Sequence, residues 1–152
     1  MPDPIKEGDM MPSFSLKDQN GNTVNIGDFV GSHSLVVFFY PKDFTPGCTT
    51  EVCSFRDSFQ DFEDIGAKVF GISGDSEGMH DKFAKKHRLQ FPLLSDKGNK
   101  VRKDVFGVPR GLLGLLPGRV TYVADSSGKV IKVFNHTSGS NHHEEALAAL
   151  KG

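Results

Sequence analysis

Hydrophobic positions along this chain change period several times, and each change marks an element. Phe14 and Leu16 alternate with polar neighbours and open an early strand. The turn dipeptide Asn20-Gly21 then leads into Thr23-Val24-Asn25-Ile26, so the two runs are expected to form a hairpin. Leu35 to Tyr40 is a continuous apolar run with β-branched and aromatic members, the signature of a central strand buried on both faces, and Pro41 ends it. From Cys48 to about Ile65 the period lengthens. Val52, Phe55, Phe59 and Phe62 fall 3, 4 and 3 residues apart, which predicts an amphipathic helix closed by Gly66. Lys68 to Ile72 is a second buried strand, and strand, helix, strand in that order implies a right-handed parallel crossover. A second helix is expected from Ser76, its N-cap, to about Arg88. Phe91 to Leu94 reads as short and extended, and Asn99 to Phe106 as a short helix. Arg119–Ala124 and Val130–Phe134 flank the hairpin signal Asp125-Ser126-Ser127-Gly128, and Glu144 to Leu150 is a terminal helix. The pattern predicts one α/β domain over residues 1–152, with a mixed sheet and helices on both faces.

Composition narrows the function classes. The chain has 37% hydrophobic and 24% charged residues, the balance of a globular domain able to bury a core. Its formal net charge of -1, from 18 basic and 19 acidic residues, gives no electrostatic footprint for nucleic acid or an anionic membrane. No apolar run approaches the roughly 20 residues of a membrane span. Met1-Pro2-Asp3-Pro4 lacks the features of a signal peptide, so no targeting segment is expected in this chain. Two cysteines are too few for a secreted disulfide scaffold.

Those cysteines carry the chemistry. In Pro41-Lys42-Asp43-Phe44-Thr45-Pro46-Gly47-Cys48-Thr49-Thr50-Glu51-Val52-Cys53, a buried strand ends, a loop stiffened by two prolines follows, and Cys48 opens a helix. Unpaired N–H groups and the helix dipole favour an anion there, hence a thiolate. Cys48 shares the helix face of Val52, Phe55, Phe59 and Phe62 and so points inward. Cys53 lies about 140° around the helix, with Cα atoms roughly 8–9 Å apart. A disulfide needs less than about 7 Å, so an intact helix keeps the two thiols apart. The plain alternative is a pair of small buried hydrophobes. The spacing is not C-x-x-C, so no thioredoxin-like dithiol motif is present.

Phe39 to Glu51, with Val52-Cys53 after it, resembles the active-site loop of peroxiredoxins. A second cysteine five residues on resembles the peroxiredoxin Q and bacterioferritin comigratory protein subfamily. Similar stretches run along the chain: Phe14–Gly21, Gly71–Asp75, Phe91–Asp96 and Leu116–Val123, of which Leu116-Pro117-Gly118-Arg119 is most like plant and algal members. The resemblance implies a thioredoxin-like fold with an N-terminal β-hairpin extension. It also implies reduction of hydrogen peroxide and alkyl hydroperoxides, with thioredoxin or a similar dithiol as reductant. It calls for no cofactor or metal, and it implies a monomer and, from the plant-type members, a plastid location. Cys48 matches the peroxidatic cysteine and Cys53 the resolving one. Thr45 matches the threonine that contacts the sulfur and the peroxide, Arg119 the arginine that opens a late strand and reaches the pocket, and Pro41 the proline that shields the site. Gly47 allows the tight turn before the cysteine. Phe44 stands at a variable position and would alter the pocket rim. In this chemistry the Cys48 thiolate attacks a peroxide oxygen, hydroxide or alkoxide leaves, and a guanidinium with nearby donors stabilises the spreading charge. The sulfenic acid then condenses with Cys53, and an external dithiol reduces the disulfide.

Other features are open to two readings. Glu51 could pair with an arginine near the site or be a carboxylate favoured by the helix start. Six histidines, among them His80, His87 and the pair His142-His143, lack metal-ligand spacing and read as solvated surface residues. Leu112 to Leu116 either packs locally or rims the pocket. A protein thiol–disulfide oxidoreductase and a redox-sensing interaction module are the competing functions. Catalytic turnover of peroxide separates the first reading from both.

Overall fold

The computed structural model describes residues 4–107, 119–134 and 142–151. The expected hairpin forms between β1 (Ser15–Lys17) and β2 (Thr23–Asn25), with Leu16 opposite Val24. Ile26 lies just past it, in a single 3-10 turn. The central strand β3 (Ser34–Phe39) pairs in parallel with β4 (Ala67–Ser73), and β4 in parallel with β5 (Leu93–Ser95). On the other side β3 pairs antiparallel with β6 (Val120–Ala124), which forms the second expected hairpin with β7 (Val130–Phe134). Among the described residues the result is one mixed seven-stranded sheet in the order β2-β1-β5-β4-β3-β6-β7.

The period-2 geometry of β3 divides the core. Leu35, Val37 and Phe39 face one cluster, with Phe70, Ile72, Phe106 and Tyr122. Val36, Phe38 and Tyr40 face the other, where every α-helix contributes. Its spine is a stack of Phe38 on Phe55, ring centroids 4.4 Å apart and nearly parallel. Such a pair contributes about 1 kcal/mol beyond its buried area. The opposite face is covered by Met11, Phe14, Ile26 and one helical segment, Val101–Phe106. That segment has π-type bonding, rather than the ordinary short helix expected from Asn99 to Phe106.

The helix expected over Cys48 to Ile65 starts earlier and is divided. It consists of α1 (Pro46–Asp57) and α2 (Phe59–Asp64), separated at Ser58, whose ψ of 6° leaves the helical range. Asp57 and Ser58 are poor interior helix formers, because their side chains compete for backbone groups. Phe55 and Phe62 nonetheless stay fully buried on either side of the break. Gly66 ends α2 with φ of +75° and donates its N–H to Glu63 O. The second helix, α3 (Glu77–His87), begins as expected at Ser76, whose hydroxyl accepts from the Met79 N–H. The terminal helix α4 (His142–Lys151) begins two residues before the expected Glu144. The apolar loop at Leu112–Leu116 lies outside the described residues.

Candidate active site

The site forms where three chain segments converge at the end of β3. Tyr40 still bonds the sheet through its N–H to Ile72 O, after which Pro41 turns the chain out of it. Pro46 occupies the first turn of α1, where its fixed φ suits a helix start and its missing N–H costs nothing. Cys48 therefore lies in the first turn, among backbone N–H groups with no intrahelical acceptor. Its side chain is turned inward and is 1% exposed.

Arg119 reaches it from β6. Because Phe39 pairs with Val120, the residue before β6 is delivered beside the end of β3. Arg119 Nη2 donates to Cys48 Sγ at 3.3 Å, and Nη1 donates to Glu51 Oε1 at 2.7 Å. Burial works against the guanidinium charge, but Glu51 and Cys48 outweigh it and hold Arg119 above its usual range. Glu51, one turn after Cys48, is fully buried, which decides between its two readings: it pairs with the arginine. Gly47 is required for approach rather than for φ. A Cβ there would lie 3.2 Å from Arg119 Nη2, so the guanidinium would have to shift by a few tenths of an ångström.

His142 corrects the surface reading of the histidines. It is fully buried at the start of α4, with Nδ1 3.3 Å from Glu51 Oε2 and 2.5 Å from Thr121 Oγ1. The chain Thr121–His142–Glu51–Arg119–Cys48 thus ties β6, α4 and α1 to one sulfur. Sequence reading missed it, although the spacing of His142 and Ala146, both fully buried, is one helical turn.

His80 is also buried, not solvated. Its Nε2 faces Leu94 O at 3.0 Å, so that nitrogen donates, and its Nδ1 lies 2.6 Å from Asp43 Oδ2. Tyr40 donates its hydroxyl to Asp43 Oδ1 at 2.5 Å, and the Asp43 N–H donates to Asp75 Oδ2 at 2.8 Å. Burial first, and then the Asp43 charge, hold the Tyr40 hydroxyl well above its ordinary value. Ligand atoms of Asp43, Asp75 and His80 lie within 4.8 Å of one another, the spacing of a small cation site. Their hydrogen bonds to one another and to Tyr40, Ser73 and Leu94 make them a lock on the loop before Cys48. The helical stripe His80, Phe83, Ala84 was the available signal that His80 faces inward.

Arg102, also unanticipated, comes from the opposite layer. Its Nη2 donates to Tyr40 O at 2.6 Å, its guanidinium stands 5.3 Å from the centroid of the Phe39 ring, and Asp96 caps its segment through the Val101 and Arg102 N–H groups. Burial pushes Arg102 down to about 10, with Asp96 and, more weakly, Cys48 favouring its charge. It remains a cation at neutral pH.

Thr45 and Phe44 depart from expectation. Thr45 Oγ1 donates to Lys42 O at 2.8 Å, so its proton is committed to the loop and its oxygen is left as an acceptor. Thr45→Val should slow peroxide reduction roughly 2- to 10-fold, the worth of one such bond. Thr45→Ser should stay near wild type, and equal rates for both variants would reduce Thr45 to packing. Phe44 adopts φ of +65°, unusual for a bulky residue, and sets its ring in an edge-to-face contact with Phe83 of α3, centroids 5.0 Å apart. It rims the α3 side of the loop. Pro41 is half-buried where the chain leaves the sheet. A surface cleft of about 480 Å³, lined by Lys17, Glu77, Lys97 and Lys100 among others, includes none of Pro41, Phe44, Thr45, Cys48 and Arg119.

Cys53 faces α3, half-buried, and both cysteines are unbonded in the intact helix. A buried sulfur at a helix start, held by a guanidinium fork, is suited to nucleophilic attack with charge passing to a leaving oxygen.

The AhpC/TSA family profile matches residues 7–133. Chloroplastic peroxiredoxin Q of Populus jackii is 50% identical over 148 residues, 97% of this chain and 68% of that protein. The crystal structure of peroxidoxin BcpB from Mycobacterium tuberculosis has a TM-score of 0.87 at 41% identity, covering 97% of each chain. The bacterioferritin comigratory protein of Xanthomonas campestris, studied for alkyl peroxide reduction, has a TM-score of 0.81 at 32% identity over 91% of this chain and 90% of that one. The fold is accordingly the thioredoxin-like α/β fold of these proteins. The chain belongs to the AhpC/TSA family, in its peroxiredoxin Q branch, and is a thiol peroxidase.

Proposed function

We propose that Cys48 is the peroxidatic nucleophile and that Cys53 resolves its sulfenic acid as an intramolecular disulfide, which thioredoxin or a similar dithiol reduces. The observation that carries this reading is the Arg119 fork, which spans Cys48 Sγ and the buried Glu51 carboxylate. In the attack, the thiolate displaces hydroxide or alkoxide from the peroxide. Arg119 faces the sulfur as charge leaves it, and the first-turn N–H groups add positive potential. Thr45 supplies an acceptor for the peroxide hydrogen. Hydrogen peroxide and alkyl hydroperoxides are the substrates, the active unit is a monomer, and the plant relatives favour a plastid setting. Peroxide consumption with thioredoxin, its reductase and NADPH tests the reading. Oxidation that stops after one equivalent, with the full reducing system present, would overturn it.

Condensation requires α1 to open. The turn from Cys48 to Cys53 must unwind, exposing Val52, at a cost of a few kcal/mol typical of low-stability segments. Amide exchange across residues 48–53 should therefore be faster in the oxidised protein, with a small loss of helical circular dichroism. Equal protection in both forms, with the disulfide confirmed by mass spectrometry, would sink the unwinding step.

A further inference from the structure

We propose that His87 is the base that takes the thiol proton of Cys53 when the Cys48–Cys53 disulfide forms. The proposal rests on Cys53 being the resolving cysteine, as argued above, and adds the group that makes it reactive.

The geometry is specific. Cys53 projects from α1 onto the last turn of α3, where its Sγ lies 3.5 Å from His87 Nδ1, within reach of a thiol hydrogen bond. The imidazole is held edge-on against the fully buried Phe83, ring centroids 4.8 Å apart. Arg56 of α1 donates Nη1 to the His87 carbonyl at 2.9 Å, so the helix that carries the thiol is pinned to the residue that carries the base. Three charged groups bear on the pair: Arg56 and Asp57 from α1, and Lys86 from α3. Burial, then Lys86 and Arg56, hold His87 below its ordinary range, so it is neutral and able to accept at neutral pH. Burial raises the Cys53 thiol, Arg56 opposes this and Asp57 adds to it, so the resting thiol keeps its proton. A protonated thiol is a poor nucleophile and needs a base during attack.

The contact can survive the opening of α1. Phe55 is stacked on Phe38, and Arg56 is bonded to His87, so the turn just after Cys53 is anchored to the sheet and to α3. Unwinding of the turn before Cys53 then carries Cys48 toward a thiol still beside its base.

The step balances within these groups. The Cys53 S–H bond breaks and its proton passes to His87 Nδ1. The sulfur electron pair forms the S–S bond, and the S–O bond of the Cys48 sulfenic acid breaks. Hydroxide leaves and takes the proton from His87 as water. Cys53 sulfur is oxidised and Cys48 sulfur reduced to the same level, so peroxide is the only oxidant consumed.

The test separates resolution from oxidation. Wild type, His87→Gln and His87→Phe are mixed with one equivalent of hydrogen peroxide and no reductant. Samples quenched with dimedone and with a thiol alkylator are then read by mass spectrometry for sulfenic acid and for disulfide. His87→Phe keeps a ring on Phe83 but offers no nitrogen. Both variants should form sulfenic acid normally and convert it to disulfide about 10²-fold more slowly at pH 7, the low side of what a positioned base supplies. The pH profile should also change. Wild-type resolution should level off by neutral pH, once His87 is neutral, whereas both variants should keep accelerating with hydroxide until the raised Cys53 thiol ionises. Wild-type resolution rates and an unchanged profile in both variants would overturn the role of His87. Absence of the disulfide in wild type would instead overturn the resolving role of Cys53.

Discussion

Cys48→Ser should reduce thioredoxin-dependent peroxide turnover to the assay background while leaving the fold intact. Cys48 is 1% exposed and its sulfur faces Arg119 Nη2, and in the proposed mechanism that one atom carries the negative charge and attacks oxygen. A serine hydroxyl ionises far outside the neutral range and is the poorer nucleophile, and a neighbouring guanidinium does not close that gap. The substitution is nearly isosteric, so thermal unfolding should shift little, and loss of activity cannot be assigned to collapse of the core. Cys53→Ser is the necessary contrast. It should consume a single equivalent of peroxide and accumulate a sulfenic acid on Cys48 that dimedone captures. Sustained turnover by Cys48→Ser would remove the assignment of Cys48, and with it every role built around that sulfur.

The second large effect is expected at Arg119. Its two donors are committed to different partners, Cys48 Sγ and Glu51 Oε1. Arg119→Met should lower kcat/KM for peroxide by about 10²–10³, the loss found when one donor to a developing charge is removed. Arg119→Lys should recover only part of this, because a single ammonium cannot hold both positions. Truncation also leaves the buried Glu51 carboxylate without its guanidinium, and breaking a buried pair costs about 3–5 kcal/mol. Stability must therefore be read alongside rate. Glu51→Gln in the Arg119→Met background should regain part of the lost stability but none of the lost rate. Wild-type peroxide kinetics in a folded Arg119→Met protein would show that the fork serves structure alone.

Much of this protein is legible in its residues taken in order. The apolar run Leu35–Tyr40, the 3-4-3 spacing of Val52, Phe55, Phe59 and Phe62, and the turn signals at Asn20-Gly21 and Asp125–Gly128 place the central strand, the first helix and both hairpins. These are local matters of period and turn chemistry, so a single sequence contains them. The same holds for Cys48 at a helix start and for Cys53 on another face, since helix geometry alone sets that angle. Helix boundaries were less secure. The break at Ser58 and the π-type bonding of Val101–Phe106 are small backbone adjustments that packing selects, and they leave no periodic trace.

Tertiary structure decided which polar residues are inside. His80 and His142 sit on helices rich in charge and read as solvated, yet each is fully buried because a specific acceptor waits across the fold: Asp43 and Leu94 O for His80, and Glu51 and Thr121 for His142. Arg102 comes to Tyr40 O from 62 residues away, and Arg119 to Cys48 from 71. Burial of a charge is tolerable only where its partners are already in place. That condition depends on the pairing of β3 with β6 and the docking of α4 on α1, not on any residue's neighbours in the chain. The candidate nucleophile proposed here was therefore legible in sequence, whereas the network around Cys48, and the imidazole beside Cys53, exist only once distant segments have been folded together.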